Sequence, residues 1–289
     1  VQVSPVTKFH SGAGYQYEDS VIYGFTHTNK GHWNLCHIPL LPVTGTPTPG
    51  DYCSPFSHER ESAAPGYYQV FLDRYGVDAQ LSSTLRCAFH KYTYPAGAAP
   101  AVLADLQRSN EHVRAWDIRK EGDNVFAGWQ QTGEKMYFYA VANRPVTGIE
   151  PVVEGDREVR IVRFGEGDGA LELRIGFSFV SEKNARENLE AEMLGKSFAE
   201  VRSEATATWN DLLGRIRVEG GTEREKGLFY SSLYRSFLWP ALRSDVNGEF
   251  TDVDGKVINP GFRYYTGPSY WDDYRNKLIL LGMLAPDVA

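Results

Sequence analysis

Two short stretches concentrate the side chains that could do chemistry. The first, Tyr23-Gly24-Phe25-Thr26-His27-Thr28-Asn29-Lys30-Gly31-His32-Trp33-Asn34-Leu35-Cys36-His37, gathers histidines, a cysteine and a tryptophan. One reading is a zinc site built from His27, His32, Cys36 and His37. That spacing fits no common structural zinc pattern, and the adjacent Cys36 and His37 would point to opposite faces of a strand. A second reading is a sugar site, with Trp33 as an apolar platform under a pyranose ring and His32 and Asn34 bonding its hydroxyls. A third is a polar loop without a ligand. The other stretch is Tyr264-Tyr265-Thr266-Gly267-Pro268-Ser269-Tyr270-Trp271-Asp272-Asp273-Tyr274-Arg275. Carboxylates beside aromatic rings at a helix start suit a sugar, whose hydroxyls donate to carboxylates and whose C–H face stacks on rings. The same pattern suits an ordinary first helical turn, where the dipole favours Asp272 as an anion. Side chains of neighbours on a helix diverge by about 100°. Asp272 and Asp273 are therefore poor candidates for a glycosidase pair, which must flank one bond at roughly 5–9.5 Å. Asp245-Val246-Asn247-Gly248 and Asp252-Val253-Asp254-Gly255 look like calcium loops, but the glycine falls too early and no glutamate closes either, so both read as tight turns.

The elements that must position these residues change character along the chain. Up to about residue 180 the pattern is one of strands broken by Gly and Pro turns. Leu171, Leu173, Ile175, Phe177 and Phe179 alternate with Glu172, Arg174, Gly176 and Ser178, the period of a strand with one buried face. Cys87 shares an alternating face with Leu85 and Phe89, which predicts a buried thiol. Many short strands predict an antiparallel β-sandwich over 1–180. From Ser181, a plausible N-cap, the period becomes helical: Ala185, Leu189 and Met193, then Phe198, Val201, Ala205, Leu212 and Ile216, ending at Gly220-Gly221. Thr222 with Glu225 reads as a capping box opening a third helix that stops at Pro240. A last helix is expected from near Ser269 through Trp271, Tyr274, Leu278 and Leu281. These helices have no partners to cover their apolar faces, so the helical part is expected to be incomplete and the isolated 289-residue chain poorly soluble.

Composition narrows the field. The chain has 289 residues, 42% of them apolar and 13% aromatic, which excludes disorder as a description of the whole. A formal charge of -7 leaves no cationic surplus for nucleic acid. No apolar run reaches the ~18 residues of a transmembrane helix, and no signal peptide is visible. The chain opens on Val1, not Met, which leads us to expect a processed or trimmed sequence. Cys36 and Cys53 either pair in an oxidising compartment or stand, with Cys87, as free thiols.

Four ordered stretches carry a resemblance. Tyr23-Gly24-Phe25-Thr26-His27-Thr28 resembles YGFSHTH of glycoside hydrolase family 92, the calcium-dependent exo-acting α-mannosidases. Phe89-His90-Lys91-Tyr92-Thr93-Tyr94-Pro95 is similar to its GFHRYTFP. Phe229-Tyr230-Ser231-Ser232-Leu233-Tyr234-Arg235-Ser236 with Ser244-Asp245-Val246-Asn247-Gly248 is similar to FYTALYHS…SDVDG. Tyr264-Tyr265-Thr266 with Ser269-Tyr270-Trp271-Asp272-Asp273-Tyr274-Arg275 is similar to YYT…SLWDTYR.

The resemblance implies a β-sandwich over 1–180, a helical linker over 181–221, and over 222–289 the start of an (α/α) six-hairpin toroid. It also implies inverting hydrolysis of α-mannosides assisted by Ca2+, with the catalytic acid and base and most calcium ligands expected beyond residue 289, and a mannose-containing glycan as partner in a secreted or periplasmic setting. Trp271, Asp272 and Arg275 match residues that hold the terminal mannose. His32 and Trp33 match a sandwich loop that reaches over the active site. Family members often carry a Gly-rich SGTGCGD run there, which this chain lacks. Its Lys30 and His32 instead suggest an anionic aglycone such as a mannosyl phosphate. The alternatives are a non-catalytic carbohydrate-binding sandwich using Trp33, and a structural sandwich with a helical dimerisation tail.

Overall fold

The alternation read in residues 171–179 becomes the strand Leu171–Ser178, with Leu171, Leu173, Ile175 and Phe177 buried and Glu172 and Arg174 at partial exposure. In the computed structural model, which describes residues 1–30, 33–266 and 270–289 and leaves the side chains of Lys30, Tyr270 and Asp272 aside, this strand lies mid-sheet. It pairs antiparallel with Lys135–Ala142 on one side and Cys87–Thr93 on the other. The full eight-stranded order is Ala115–Gly122, Val125–Gln131, Lys135–Ala142, Leu171–Ser178, Cys87–Thr93, Val77–Ser83, Tyr67–Leu72 and Glu61–Ala64. A six-stranded sheet faces it, ordered Ser4–Val6, Gly24–Thr26, Leu40–Val43, Ala101–Ala104, Arg157–Phe164 and Val146–Glu154. Leu41, Val43, Val102 and Ile161 from the smaller sheet share one buried core with Val70, Leu81, Phe138 and Leu173 from the larger. The expected antiparallel β-sandwich is the fold of this part of the chain.

The larger sheet buries its outer face too. Three capped helices follow the last strand: α1, Glu182–Glu192; α2, Phe198–Gly214; and α3, Glu223–Phe237. Leu189 of α1, Met193 just after it, and Phe198 and Val201 of α2 pack on Tyr67, Cys87 and Phe89 of the sheet. Gly176 permits the approach of α1, because a β-carbon there would overlap the Ala185 carbonyl oxygen and lie 2.9 Å from Leu189 Cβ. Ser181 caps α1 by accepting from the Asn184 amide at 3.1 Å, and Thr222 with Glu225 forms the expected capping box at α3. Asp252–Lys256 turns the hairpin of Phe250–Thr251 with Val257–Ile258, and Asp245–Gly248 is a tight turn closed by Gly248 N donating to Asp245 O at 3.0 Å.

Four expectations need correction. Leu85 is 59% exposed, because it sits in the turn before the strand and not on the face of Cys87. The second helix stops at Gly214 instead of running to Gly220-Gly221, so Ile216 lies outside it. The last helix is two: α4, Tyr270–Asp273, and α5, Lys277–Leu284, separated where Asn276 turns left-handed at φ 69°. Its expected start at Ser269 lies outside the described residues. The fourth concerns Asn34 and follows with the site. Cys36, Cys53 and Cys87 are all free thiols, the first and last buried. Among the described residues no helix is long and apolar enough to cross a membrane.

Candidate functional site

The histidines of the first cluster separate on folding. His27 follows the strand Gly24–Thr26 and turns into the sandwich, where its Nε2 meets Nε2 of His90 at 3.0 Å. His90 Nδ1 lies 2.5 Å from the Tyr92 hydroxyl. Both rings are buried, Phe177 packs on His27 at 4.6 Å between centroids, and desolvation lowers the His27 pKa to about 3 and that of His90 well below the usual histidine range. Both are therefore neutral. The arrangement that leaves no hydroxyl proton idle has Tyr92 donating to His90 Nδ1 and His90 Nε2–H donating to His27 Nε2. His37 turns elsewhere: its Nε2 is 3.0 Å from Glu111 Oε2 and 3.1 Å from Thr132 Oγ1, and Thr132 donates to the same carboxylate oxygen at 2.7 Å. Cys36 is buried, and burial lifts its thiol to about 12. His27, Cys36 and His37 thus serve separate partners, and the zinc reading falls with them. His32 lies outside the described residues.

Trp33 ends up on a small hairpin, Asn29–Lys30 paired with Trp33–Asn34. It is 54% exposed, and its ring passes close to Gly12, where a β-carbon would stand 3.5 Å from it. Asn34 is not a hydroxyl binder as expected. It is buried, and its Oδ1 accepts from Thr26 Oγ1 at 3.2 Å and from the Cys36 amide at 2.8 Å. Asn110 ties the hairpin to the neighbouring loop, its Nδ2 donating to Asn34 O at 2.5 Å and its amide to Leu35 O at 3.0 Å.

The second cluster is carried to the same end of the sandwich by a different route. The turn after α3 is clamped: Asp245 accepts from Ser178 Oγ and from Asn188 Nδ2, both at 2.6 Å, while Asn188 Oδ1 accepts from the Val246 amide at 2.9 Å. Arg86 donates to Ser244 O at 2.7 Å and pairs with Glu192 at 2.6 Å. This fixes residues 241–245 against Tyr264–Thr266, where Arg243 N donates to Tyr264 O at 2.9 Å. Thr266 Oγ1 accepts from the Trp239 indole and, at 3.0 Å, from the Ala241 amide. A small open cleft of about 50 Å³ runs along this junction, lined by His27, Thr28 and Asn29 together with Arg86, Arg243 and Asp245. Arg243 stacks on Phe179 at 3.7 Å and pairs with Glu134 at 2.9 Å. Beyond Thr266, Trp271 is 84% exposed and Arg275 Nε donates to the Tyr274 hydroxyl at 2.7 Å. Asp273 is buried and paired with Lys277 at 3.1 Å. Asp272 falls in α4, its side chain outside the description.

Sequence reading missed His90, Glu111, Thr132 and Arg243 as parts of this end of the molecule. His90 and Arg243 stood in or beside recognisable motifs, whereas nothing local marks Glu111 or Thr132. No group of three His, Cys, Asp or Glu side chains suited to a metal occurs among the described residues. Asp245, the carboxylate among the described residues that line the cleft, is already engaged by Ser178 and Asn188. The described residues do not fit a calcium site.

The model of the glycosyl hydrolase family 92 N-terminal domain matches residues 1–188, and that of the family's catalytic domain matches residues 184–289. The chain belongs to glycosyl hydrolase family 92. A family 92 alpha-mannosidase from Bacteroides thetaiotaomicron superposes with a TM-score of 0.91 at 26% identity, over 99% of this chain and 44% of that one. The structure of that protein in complex with mannoimidazole gives 0.90 at 26% identity, over 99% and 43%. An uncharacterized secreted glycosidase from Arthroderma benhamiae is 24% identical over 86% of this chain and 38% of its own length. The family 92 chain thus spans less than half the length of these relatives.

Proposed function

We propose that this chain is the N-terminal part of a glycosidase that releases terminal mannose from α-mannosides with inversion. One observation supports the reading most: 99% of the chain shares its backbone with an α-mannosidase at a TM-score of 0.91. Inversion requires one carboxylic acid to protonate the leaving oxygen and one carboxylate to activate water across the ring. We assign that pair, and the ligands of an assisting Ca2+, to the part of the protein beyond residue 289.

In this reading residues 1–180 are the scaffold, 181–221 the linker and 222–289 the opening of the catalytic domain. Trp271, Asp272 and Arg275 hold the terminal mannose: the exposed indole offers a stacking face, and the carboxylate accepts from hydroxyls. Trp33 and His32 serve the adjoining part of the substrate. A phosphate at that position would rely on Lys30 and His32, because Arg86 and Arg243 at the cleft are each paired with a glutamate. The fungal relative's description as secreted supports a secreted or periplasmic location.

The test is release of free mannose by the full-length protein from α-mannosides, with added calcium and with a chelator. Calcium-dependent release is expected. Mannoside binding without release would favour a non-catalytic carbohydrate-binding protein. Comparison of neutral and phosphate-linked mannosides then decides the aglycone, and equal rates would end the phosphate reading.

A further inference from the structure

Glu111 is an ionised side chain held by one oxygen. Its Oε2 receives Thr132 Oγ1 at 2.7 Å and lies 3.0 Å from His37 Nε2, and His37 and Thr132 are both buried. The side chain as a whole is 42% exposed, and its pKa is lowered to about 2, first by the His37 bond, with Thr132 and the charge of Arg243 adding to it. A carboxylate fixed at one oxygen and open at the other is a preorganised acceptor for a hydroxyl.

Its place in the fold gives that acceptor a partner. Asn110, the preceding residue, bonds Asn34 O at 2.5 Å, and Asn34 follows Trp33 in the hairpin. Ser109 Oγ donates to Leu35 O at 2.8 Å and accepts from the Glu111 amide at 3.1 Å. The half-exposed indole and the partly exposed Glu111 side chain are thus carried by two segments bonded to each other, independently of the C-terminal cluster. An exposed ring and an anchored acceptor on two tethered segments are groups that a pyranose can use.

We propose that Glu111 is a specificity-determining residue that accepts from hydroxyls of the sugar next to the terminal mannose, with Trp33 supporting the face of that sugar. The proposal rests on the α-mannosidase reading, in which Trp271, Asp272 and Arg275 take the terminal ring and leave the sandwich cluster to the second. It implies a preference for a glycan over a simple aglycone.

The test is the affinity of the full-length protein for sulfur-linked α-mannobiose, which resists hydrolysis, and for methyl α-mannoside, each by calorimetric titration. Glu111→Gln keeps the shape and removes the charge. We expect it to weaken disaccharide binding by at least about tenfold, the worth of one hydrogen bond to a charged group, and to leave methyl α-mannoside within about twofold. Thr132→Val, which frees the anchored oxygen, should weaken the disaccharide alone by a smaller factor. An equal loss for both ligands, no loss for either, or a wild-type protein that binds the disaccharide no better than the monosaccharide would overturn the proposal. Because no bond is cleaved in this assay, its result is separate from that of mannose release.

Discussion

His27 and His90 share one hydrogen bond, Nε2 to Nε2 at 3.0 Å, across 63 residues of sequence. It joins the strand Gly24–Thr26 of one sheet, through the residue that follows it, to Cys87–Thr93 of the other. Two motifs that stand apart in the sequence are therefore one buried polar contact between the two sheets.

Burial of His27 sets a pH dependence. In the unfolded chain both imidazoles titrate near their ordinary value, whereas folded His27 stays neutral down to about pH 3. Between those limits the unfolded state binds more protons, so stability is complete above the ordinary histidine pKa and declines as pH falls through the window. We expect His27 alone to account for about 2 kcal/mol lost between pH 7 and pH 5. Urea unfolding at the two pH values measures it, and equal stabilities would contradict the assignment.

Asp245 anchors the turn that lines the cleft. Asp245→Ala leaves Ser178 and Asn188 without their acceptor in a buried setting and should cost about 2–3 kcal/mol. Asp245→Asn should cost less, because the amide oxygen still takes one of the two donors. Thermal unfolding of the pair ranks them, and a wild-type melting temperature for the alanine variant would remove the anchor role.

Gly176 admits α1 to the sheet. Gly176→Ala should destabilise by about 2–3 kcal/mol through overpacking. Gly148→Ala, in a strand with nothing within 4 Å of the added carbon, should stay within about 0.5 kcal/mol and serves as the control.

Trp271 is 84% exposed, so replacing it by alanine should alter stability by no more than about 0.5 kcal/mol. Affinity for mannosides should nevertheless fall roughly tenfold, as for truncation of an aromatic anchor. Titration of the full-length variant with a mannoside decides this, and unchanged binding would return Trp271 to the bare surface.

The legible features were local ones. An alternating strand declares itself within a few residues, as Leu171–Ser178 does, and a capping box within four, as Thr222 and Glu225 do. The change of period at Ser181 located the passage from sheet to helix for the same reason. What escaped depends on partners far along the chain. Glu111 meets His37 across 74 residues, and nothing near either residue in sequence announces the other. Asn34 looked like a sugar ligand because its chemistry was visible and its burial was not. The break in the last helix turns on one left-handed Asn276, a conformation that asparagine tolerates but does not advertise.

The strand Leu171–Ser178 is late in sequence and central in its sheet, between Lys135–Ala142 and Cys87–Thr93. The two halves of the eight-stranded sheet are made earlier, yet they have no shared edge until this strand arrives. During synthesis each half must therefore emerge from the ribosome with an open edge able to pair with a neighbouring chain. Closure is a single late event that joins contacts of long sequence separation, which makes folding slow and dependent on delivery of this one segment. A nascent chain stalled before Leu171 would be two unjoined ribbons, and a chaperone that shields strand edges would act on this interval of translation.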